Sequence, residues 1–305
     1  MNQPSSNYTA TSTESFSDLY NSSINSPDDF WAKQAERIYW HKQPEKVLDD
    51  SKLPFAKWFV GGETNLCYNC VDRHLEDRAE QDAFVWVSSE INQELLDNHP
   101  GVAEAFKALD NHVEFYTDYA KRRLTYNRLY KEVNYFADVL QRMGVGKGDR
   151  VVIYMPMILE AAYAMLACAR IGAIHSVVFG GFAAHNLAVR IDDSEAKVVI
   201  TVDAGLRGGK IINYKNLVNQ GVEQAKHKPE KVLVVDRGIL PFEPQERDID
   251  FATERRISCD NRAVVEPVWL ESNEPSYLLY TSGTTGTPKG VQRDTGGYAV
   301  ALATT

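Results

Sequence analysis

The sequence predicts an α/β fold: a doubly wound, largely parallel sheet with flanking helices, preceded by an irregular helical N-terminal cap. Two observations predict it. Between residues 151 and 235, short apolar runs alternate with stretches of helical periodicity. The apolar runs are continuous rather than alternating with polar residues, which is typical of strands that helices cover on both faces. In such a sheet we expect ligands beyond the carboxyl ends of the strands.

The first part of the chain lacks this regular alternation. Residues 1–25 are rich in Ser, Thr and Asn, and we expect a disordered tail. Helical order is expected to begin at Ser26, because Pro27 and two acidic residues follow it in first-turn positions. Residues 26–88 mix aromatic and turn residues, so they are interpreted as a cap that ends in a strand at 84–87.

The rest of the chain, residues 89–305, is predicted to be one α/β domain. Residues 91–121 are interpreted as an inserted surface helix, and residues 237–275 as a less regular, polar segment. The other predicted elements are helices over 126–143, 159–170, 184–193 and 213–224, and strands over 151–155, 174–179, 198–202, 232–235 and 277–280.

Composition excludes several classes of function. The chain has 305 residues and a formal net charge of −9, which argues against a dedicated nucleic-acid binder. Its longest uninterrupted apolar run, Ala161 to Ala169, is too short to cross a membrane. The four cysteines indicate a reducing compartment, and Cys67 and Cys70 lack the second pair that a zinc site needs. We therefore expect a cytoplasmic protein without a metal site; the sequence leaves the oligomeric state open.

The most informative stretch is T-S-G-T-T-G-T-P-K-G at residues 281–290, which follows a strand-like run. Its amides, hydroxyls and single lysine, Lys289, suit a polyphosphate. It is not a Walker loop, since Pro288 stands where that pattern has glycine. A flexible linker is the alternative, but a linker rarely lies between two β-type runs.

A second candidate loop, Phe179-Gly180-Gly181-Phe182, follows a predicted strand. Adjacent glycines let the backbone approach a flat group, and a flanking aromatic ring can stack on it. A tight turn between two core phenylalanines explains the same residues equally well.

A third candidate loop, residues 203–210, follows the next predicted strand and carries Arg207 and Lys210 around two glycines. We expect it at a helix start, where both cations suit a phosphate. The alternative is a solvated basic turn. Glu160, the Asp192-Asp193 pair and the histidines, His74 included, are interpreted as structural.

These motifs resemble a known family. The loop at 281–290 matches the signature T-S-G-S/T-T-G-x-P-K-G of the adenylate-forming superfamily at every position. From Phe30 onward, the chain is similar to the short-chain acyl-CoA synthetases in the following segments: F-W-A-K-Q-A at 30–35, W-F-V-G-G-E-T-N-L-C at 58–67, V-D-R-H-L at 71–75, I-Y-M-P-M at 153–157, A-M-L-A-C-A-R-I-G-A at 164–173 and H-S-V-V-F-G-G-F at 175–182.

Other segments look more like the propionyl-CoA synthetase branch than the acetyl-CoA synthetase branch. They are I-Y-W-H-K at 38–42, V-L-D-D-S at 47–51 and D-A-G-L-R-G-G-K at 203–210. An acetyl-CoA synthetase fragment and a non-catalytic nucleotide- or CoA-binding module stay open as alternatives.

The resemblance implies the N-terminal domain of an adenylate-forming enzyme and a two-step ligation. A short-chain carboxylate such as propionate attacks the α-phosphorus of Mg²⁺-ATP, and the CoA thiolate then displaces AMP from the acyl-adenylate. ATP, Mg²⁺ and CoA act as substrates, the partners are small molecules, and no prosthetic group is implied.

The resemblance also assigns roles to residues. It implies that the ATP phosphates are bound by Thr281, Ser282, Gly283, Thr284, Thr285, Gly286 and Lys289. It implies that CoA is bound by Phe179, Gly180, Gly181, Arg207 and Lys210.

The resemblance covers about the first half of a typical member. The family's acyl pocket, Mg²⁺-binding acid and catalytic lysine have no counterpart here, so no catalytic residue is expected within this chain. We expect these 305 residues alone to complete neither half-reaction.

Overall fold

The computed structural model describes residues 15–88, 121–207, 210–281 and 288–304. Its helices are α1 (Phe16–Asn25), α2 (Pro27–Ala35), α3 (Leu66–Cys70), α4 (Leu75–Arg78), α5 (Tyr126–Arg142), α6 (Leu159–Arg170), α7 (Ala184–Ser194), α8 (Tyr214–Gln224), α9 (Phe251–Asp260) and α10 (Gly296–Thr304). Its strands are β1 (Lys46–Asp49), β2 (Lys57–Val60), β3 (Glu63–Thr64), β4 (Asp82–Val87), β5 (Lys121–Thr125), β6 (Arg150–Tyr154), β7 (Ile174–Val177), β8 (Val198–Val202), β9 (Gly205–Arg207), β10 (Lys210–Ile212), β11 (Lys231–Val235), β12 (Asp248–Asp250), β13 (Leu270–Glu271), β14 (Pro275–Thr281) and β15 (Lys289–Asp294).

A seven-stranded sheet, ordered β12-β11-β8-β6-β7-β14-β15, forms the centre of the fold. Every neighbouring pair is parallel except β14 and β15. The chain passes from β6 to β7 on one side and then crosses back to β8 on the other side of β6. The strand order therefore reverses at β6, as in a doubly wound sheet.

Helices cover both faces of this sheet. A crossover connection between two parallel strands is right-handed. Crossovers that lead toward opposite ends of the sheet therefore place their helices on opposite faces of it. Helix α6 packs with α5, and α9 packs with α5, whereas α7 packs with α8. Strands β6 and β8, lying between these layers, are almost entirely buried and apolar. The predicted α/β class and doubly wound topology are thus confirmed.

Helix α5 shows how local sequence specifies an element here. Thr125 is its N-cap, and the Thr125 side chain accepts a hydrogen bond from the amide of Arg128 at 3.3 Å. Leu129, Val133 and Phe136 are buried at the helical spacing that the sequence predicts. Gly144 follows with φ of 87°, a conformation that glycine adopts readily and that ends the helix.

The cap is attached to the α/β layer by backbone pairing and by buried polar groups. Strand β3 pairs with β13, and β1 and β2 form an antiparallel pair beside it. The side-chain amide of Asn65 donates to the carbonyls of Ala169 and Val268 at 2.8 and 2.9 Å. Arg170, 1% exposed, binds the carboxylate of Asp72 in the cap through both terminal nitrogens.

The structure differs from the sequence prediction at residues 16–25, which form α1 instead of a disordered tail. Ser15 and Asp18 form a capping box, with the amide of Asp18 donating to the Ser15 hydroxyl at 3.2 Å. No residue of α1 is buried, so local capping rather than core packing specifies the helix. The prediction of disorder rested on composition, and composition does not reveal a capping box.

Within the cap, residues 66–78 form α3, a three-ten turn at Asp72–His74 and α4. One further segment differs from the prediction. The segment 237–275, expected to be irregular, contains β12 and α9. Asp250 caps α9 by accepting a hydrogen bond from the amide of Thr253 at 2.7 Å.

Other predictions remain open. The predicted surface helix lies outside the described residues over 91–120, and Lys121 begins β5. The domain boundaries at residues 25 and 88 stay predictions. No helix in the described part of the chain combines the length and apolarity that crossing a membrane requires.

Candidate functional site

The three candidate ligand loops follow β7, β8 and β14, at the same edge of the sheet. Strands β8, β6, β7 and β14 are neighbours and run parallel to one another. Parallel strands end at one edge, so their following loops converge there. The described residues among those predicted for the site thus come from three separated segments and lie at the carboxyl edge, where the order of the strands reverses.

The loop after β7 combines an exposed ring with an anchored one. Phe179 is 57% exposed, whereas Phe182 is half-buried, and the two ring centroids lie 5.6 Å apart. The hydroxyl of Tyr154 donates to the carbonyl of Phe182 at 2.6 Å. Burial raises the pKa of Tyr154 to about 12, so its hydroxyl stays protonated as a donor. Phe182 is therefore fixed, and the Phe179 ring is accessible.

The two glycines of this loop are required by packing. A Cβ atom on Gly180 would overlap the hydroxyl oxygen of Tyr214, and one on Gly181 would overlap the guanidinium of Arg207. Neither glycine has a positive φ, so a larger residue would meet neighbouring side chains rather than backbone strain. At Gly181, the exposed ends of Arg207 and Phe179 would have to move. The loop therefore lies against both α8 and the segment after β8.

The segment after β8 is a β-hairpin, so the two cations lie on paired strands and not, as the sequence predicts, at the start of the following helix. Strands β9 and β10 pair antiparallel, with Arg207 opposite Lys210. Helix α8 begins only at Tyr214, after Asn213, whose side chain accepts a hydrogen bond from the amide of Asn216 at 2.9 Å. The two glycines between the cations, at positions 208 and 209, lie outside the described residues.

Arg207 and Lys210 are both exposed, as anion-binding side chains must be. The Arg207 guanidinium carbon lies 4.8 Å from the centroid of the Phe179 ring, a cation–π distance. The fold thus brings together Phe179 and Arg207, which are 28 residues apart in the numbering (207 − 179). Lys210 enters the same site through its pairing with Arg207.

A buried carboxylate fixes the base of the hairpin. Asp203, 1% exposed, accepts hydrogen bonds from the amides of Arg237, Ile239 and Leu240 at 3.0, 2.6 and 3.0 Å. Three amide donors satisfy a buried carboxylate without a cation. The segment that follows β11 is therefore tied to the root of the Arg207–Lys210 hairpin.

The predicted phosphate loop connects β14 to β15, which pair antiparallel up to Thr281 and Lys289. Both of these residues are exposed at the open end of the pair. A flexible linker between independent elements would not be flanked by paired strands, so this geometry argues against the linker interpretation. Ser282, Gly283, Thr284, Thr285 and Gly286 lie outside the described residues and stay predictions.

Sequence reasoning missed a group of residues on α7 and β14 that lies between these loops. The Arg190 guanidinium carbon lies 4.7 Å from the ring centroid of Phe182 and 5.2 Å from that of Tyr280. Asp193, interpreted as structural, accepts a hydrogen bond from the Tyr280 hydroxyl at 2.7 Å. The short apolar spacing of α7 indicated a helix but not which polar residues would reach the loops.

No group of three or more His, Cys, Asp or Glu side chains within the described residues is arranged to hold a metal ion. Of the two cysteines in the C-x-x-C pattern, Cys67 is buried and Cys70 is exposed. The ring of His74 packs against Tyr126 with centroids 5.0 Å apart, a contact consistent with its structural interpretation.

Comparison with known proteins identifies relatives of the whole chain. A family model described as AMP-binding enzyme matches residues 102–305, and one described as acetyl-coenzyme A synthetase N-terminus matches residues 16–70. The chain is 50% identical over 291 residues to the propionate–CoA ligase of Escherichia coli K12, covering 95% of this chain and 42% of that protein. It is 42% identical over 271 residues to the acetyl-coenzyme A synthetase of Pasteurella multocida, covering 88% of this chain and 37% of that protein.

A solved structure shows the same fold. The acetoacetyl-CoA synthetase of Streptomyces lividans superposes with a TM-score of 0.76 at 25% sequence identity, covering 97% of this chain and 41% of that chain. This chain thus spans less than half the length of the relatives that it matches. The AMP-binding enzyme model covers more than half of this chain, including the strands and loops of the candidate site. The chain belongs to the AMP-binding enzyme family.

Proposed function

We propose that this chain supplies the ATP phosphate site and the CoA nucleotide site of an AMP-forming ligase that joins propionate to CoA. The observation that carries the proposal is the convergence of three loops at one sheet edge, with Arg207 stacked on Phe179. An exposed aromatic face beside two exposed cations suits a ligand that combines a flat base with phosphates. CoA and ATP both have this combination.

The reaction would proceed in two balanced steps. A carboxylate oxygen forms a bond to the α-phosphorus of ATP as the bond to pyrophosphate breaks, giving an acyl-adenylate. The CoA thiolate then forms a thioester at the acyl carbon as the bond to AMP breaks. Negative charge accumulates on the departing phosphates in the first step, so fixed donors and cations around them lower the barrier.

In this scheme, the loop between β14 and β15 holds the terminal phosphates of ATP. Thr281 and Lys289 stand at its two ends and are exposed. Lys289 supplies a point charge and Thr281 a hydroxyl donor. The roles of Ser282 to Gly286 follow from the resemblance.

The loop after β7 and the hairpin after β8 would hold the nucleotide end of CoA. Phe179 offers its exposed face to the adenine, and Gly180 and Gly181 allow the backbone to approach it. Arg207 and Lys210 would pair with the CoA phosphates, with Arg207 held in place by its contact with Phe179.

Propionate is proposed as the carboxylate because similarity is higher to the propionate–CoA ligases than to the acetyl-coenzyme A synthetases. Identity is 50% to the former and 42% to 44% to the latter. Acetate is the second candidate. Use of Mg²⁺, the lack of a prosthetic group, a cytoplasmic location and the absence of nucleic-acid partners stay predictions.

Calorimetric titration of this chain with CoA and with ATP tests the two sites directly. We expect both ligands to bind, and Arg207→Met and Lys210→Met to raise the Kd for CoA by about 10- to 100-fold, since each removes a charge-assisted hydrogen bond. Lys289→Met should raise the Kd for ATP over a similar range. Lys231→Met, at the amino end of β11, is the matched control that should leave both values unchanged.

Absence of CoA and ATP binding, or site variants that behave like Lys231→Met, would overturn the proposal. A separate assay, exchange of pyrophosphate into ATP with propionate or acetate, tests the expectation that these 305 residues alone complete neither half-reaction. Clear turnover would contradict that expectation, and its rate with each acid would decide between the two substrates.

A further inference from the structure

Arg190 lies in an unusual environment between two of the proposed ligand loops. It is 5% exposed, and its guanidinium lies against the rings of Phe182 and Tyr280 at 4.7 and 5.2 Å. Phe182 belongs to the loop after β7, and Tyr280 is the residue before Thr281, where the phosphate loop begins. One side chain of α7 therefore touches the supports of both loops.

Arg190 makes few polar contacts, so the rings of Phe182 and Tyr280 are its main partners. Its Nη1 donates to the carbonyl of Asn186 at 2.6 Å, and no carboxylate forms an ion pair with it among the described residues. Burial lowers the pKa of Arg190 from its ordinary value, but a guanidinium keeps its charge at neutral pH. A buried, charged guanidinium between two ring faces is stabilised by cation–π attraction, which is stronger where water is excluded.

Asp193, one turn further along α7, contacts the same strand pair. Its carboxylate accepts a hydrogen bond from the Tyr280 hydroxyl at 2.7 Å. A Cβ on Gly290 would lie 3.2 Å from both the Asp193 carboxylate and the Tyr280 ring. Gly290 is the residue after Lys289 and pairs with Tyr280, so Asp193 and Tyr280 pack where the two strands leave the loop.

We propose that Arg190 and Asp193 are positioning residues that hold the base of the phosphate loop in register with the loop after β7. Arg190 acts through Tyr280 and Phe182, and Asp193 acts through Tyr280. Neither residue touches the substrates. The proposal rests on the proposed function, because it assigns these residues to the ATP phosphate site and the CoA site.

The arrangement predicts that the two ligand sites respond differently to different substitutions. Tyr280→Phe and Asp193→Asn alter only the contact beside the phosphate loop. Arg190→Met removes the charge that both rings share and disturbs both loops. Burial and the adjacent Asp193 carboxylate raise the pKa of Tyr280 well above its ordinary value, so its hydroxyl is a donor throughout the physiological range.

The test measures binding of inorganic tripolyphosphate and of CoA to the full chain by calorimetry, with the melting temperature of each variant. Tyr280→Phe and Asp193→Asn are expected to raise the Kd for tripolyphosphate about threefold, because the first removes an exposed hydrogen bond and the second removes the charge of its acceptor. Both should leave the Kd for CoA unchanged. Arg190→Met should raise both Kd values about tenfold or more. Arg190→Lys should give Kd values between those of the unmodified chain and those of Arg190→Met, since lysine keeps the charge without the planar group.

Arg255→Met is the matched control. Arg255 is a part-buried arginine whose guanidinium likewise lies near an aromatic ring, 5.8 Å from that of Tyr135. It pairs with Glu132 on α5. This variant should lower the melting temperature and leave both Kd values unchanged. Loss of stability alone therefore cannot imitate the expected pattern.

Each outcome decides the proposal. If the unmodified chain binds neither probe, the proposed function fails, and this inference fails with it. If the unmodified chain binds both, but Arg190→Met matches Arg255→Met and Tyr280→Phe leaves the tripolyphosphate Kd unchanged, this inference alone is wrong. If Arg190→Met does not fold, the other two variants decide the test. The inference is then overturned if neither Tyr280→Phe nor Asp193→Asn changes the Kd for tripolyphosphate.

Discussion

At the scale of single residues, Arg170 shows how one buried charge can connect two parts of the chain. Its guanidinium binds both carboxylate oxygens of Asp72 at 2.8 and 2.9 Å and donates through Nε to the carbonyl of Val265. Tyr130 lies beneath it at 5.4 Å. Each nitrogen of the guanidinium thus has a hydrogen-bond partner, as a buried charge requires.

Arg170→Met should therefore lower the free energy of unfolding by about 3 to 5 kcal/mol, because it leaves the largely buried Asp72 carboxylate without its cation. Urea denaturation at neutral pH measures this change. Lys42→Met is the control, since Lys42 and Glu45 form a solvent-exposed pair that water screens, so its loss should leave the free energy of unfolding nearly unchanged. Equal effects of the two substitutions on the free energy of unfolding would contradict the stabilising role assigned to the Arg170–Asp72 pair.

His175 gives the chain a dependence on pH. It lines a cavity of about 640 Å³ that His74 and Arg37 also line, and its Nδ1 has no hydrogen-bond partner among the described residues. Its ring stacks on Tyr277 at 5.6 Å. Burial lowers the pKa of His175 to about 4, because the charged imidazolium would lack water and a counterion.

We expect the stability that His175 contributes to be present above pH 6.5 and to be lost as pH falls toward 4. In that window the unfolded chain binds a proton that the folded chain does not, so acid favours unfolding. The expected loss between pH 7 and pH 5 is about 2 kcal/mol. Urea denaturation at both values should show that His175→Phe lacks this loss, whereas the exposed-site control His185→Phe retains it.

At the scale of elements, the loop after β7 and the β9–β10 hairpin form a unit. Arg207 can stack on Phe179 only because Gly181 has no side chain at the point of contact. The sequence predicted both loops as separate candidates. Their contact follows from β7 and β8 lying on either side of β6, which local sequence does not reveal.

Gly181→Ala should displace the Arg207 guanidinium from the Phe179 ring and weaken CoA binding. Because part of the effect of the substituted methyl group acts through Arg207, Gly181→Ala and Arg207→Ala should be less than additive in their effects on CoA binding. Calorimetry on the four proteins measures the coupling. Gly146→Ala is the control, since its Cβ would enter open space. Simple additivity of the two effects would show that the contact has no role in binding.

The elements themselves were largely predictable. Buried strands such as β6 and β11 begin and end within one residue of the predicted runs, since burial on both faces requires continuous apolar sequence. The shorter elements were not predictable, because α9 and the β9–β10 hairpin depend on single caps and turns. For α9, the cap at Asp250 and the packing of Phe251 on Phe136 at 4.6 Å supply what periodicity did not show.

At the scale of the whole molecule, the cap is continuous with the α/β layer. The amide of Gly61 donates to the Glu271 carboxylate at 3.0 Å, and the ring of His41 stacks on Trp269 at 4.5 Å. These contacts join residues more than 200 positions apart in the numbering, as 271 − 61 and 269 − 41 show. Together with the Arg170–Asp72 pair, these contacts join the cap to the α/β layer, so the cap does not form a hydrophobic core of its own.

We therefore expect the cap and the α/β layer to unfold in one transition. Tryptophan fluorescence reports mainly on the cap and its contacts, because Trp31, Trp40, Trp58 and Trp269 lie there, whereas circular dichroism reports on all helices. Coincident midpoints in urea are the expected result. Two separated midpoints would show that the cap is an independent unit.

The sequence by itself determined the class of the fold and the chemistry of its loops, because strand burial, helix periodicity and a glycine-, hydroxyl- and lysine-bearing loop are local properties of the chain. The tertiary structure decided which residues act together. Phe179 meets Arg207, and Arg190 lies between Phe182 and Tyr280, only because the order and register of parallel strands bring distant segments to one edge. Contacts across such distances depend on the path of the whole chain, which no local pattern encodes.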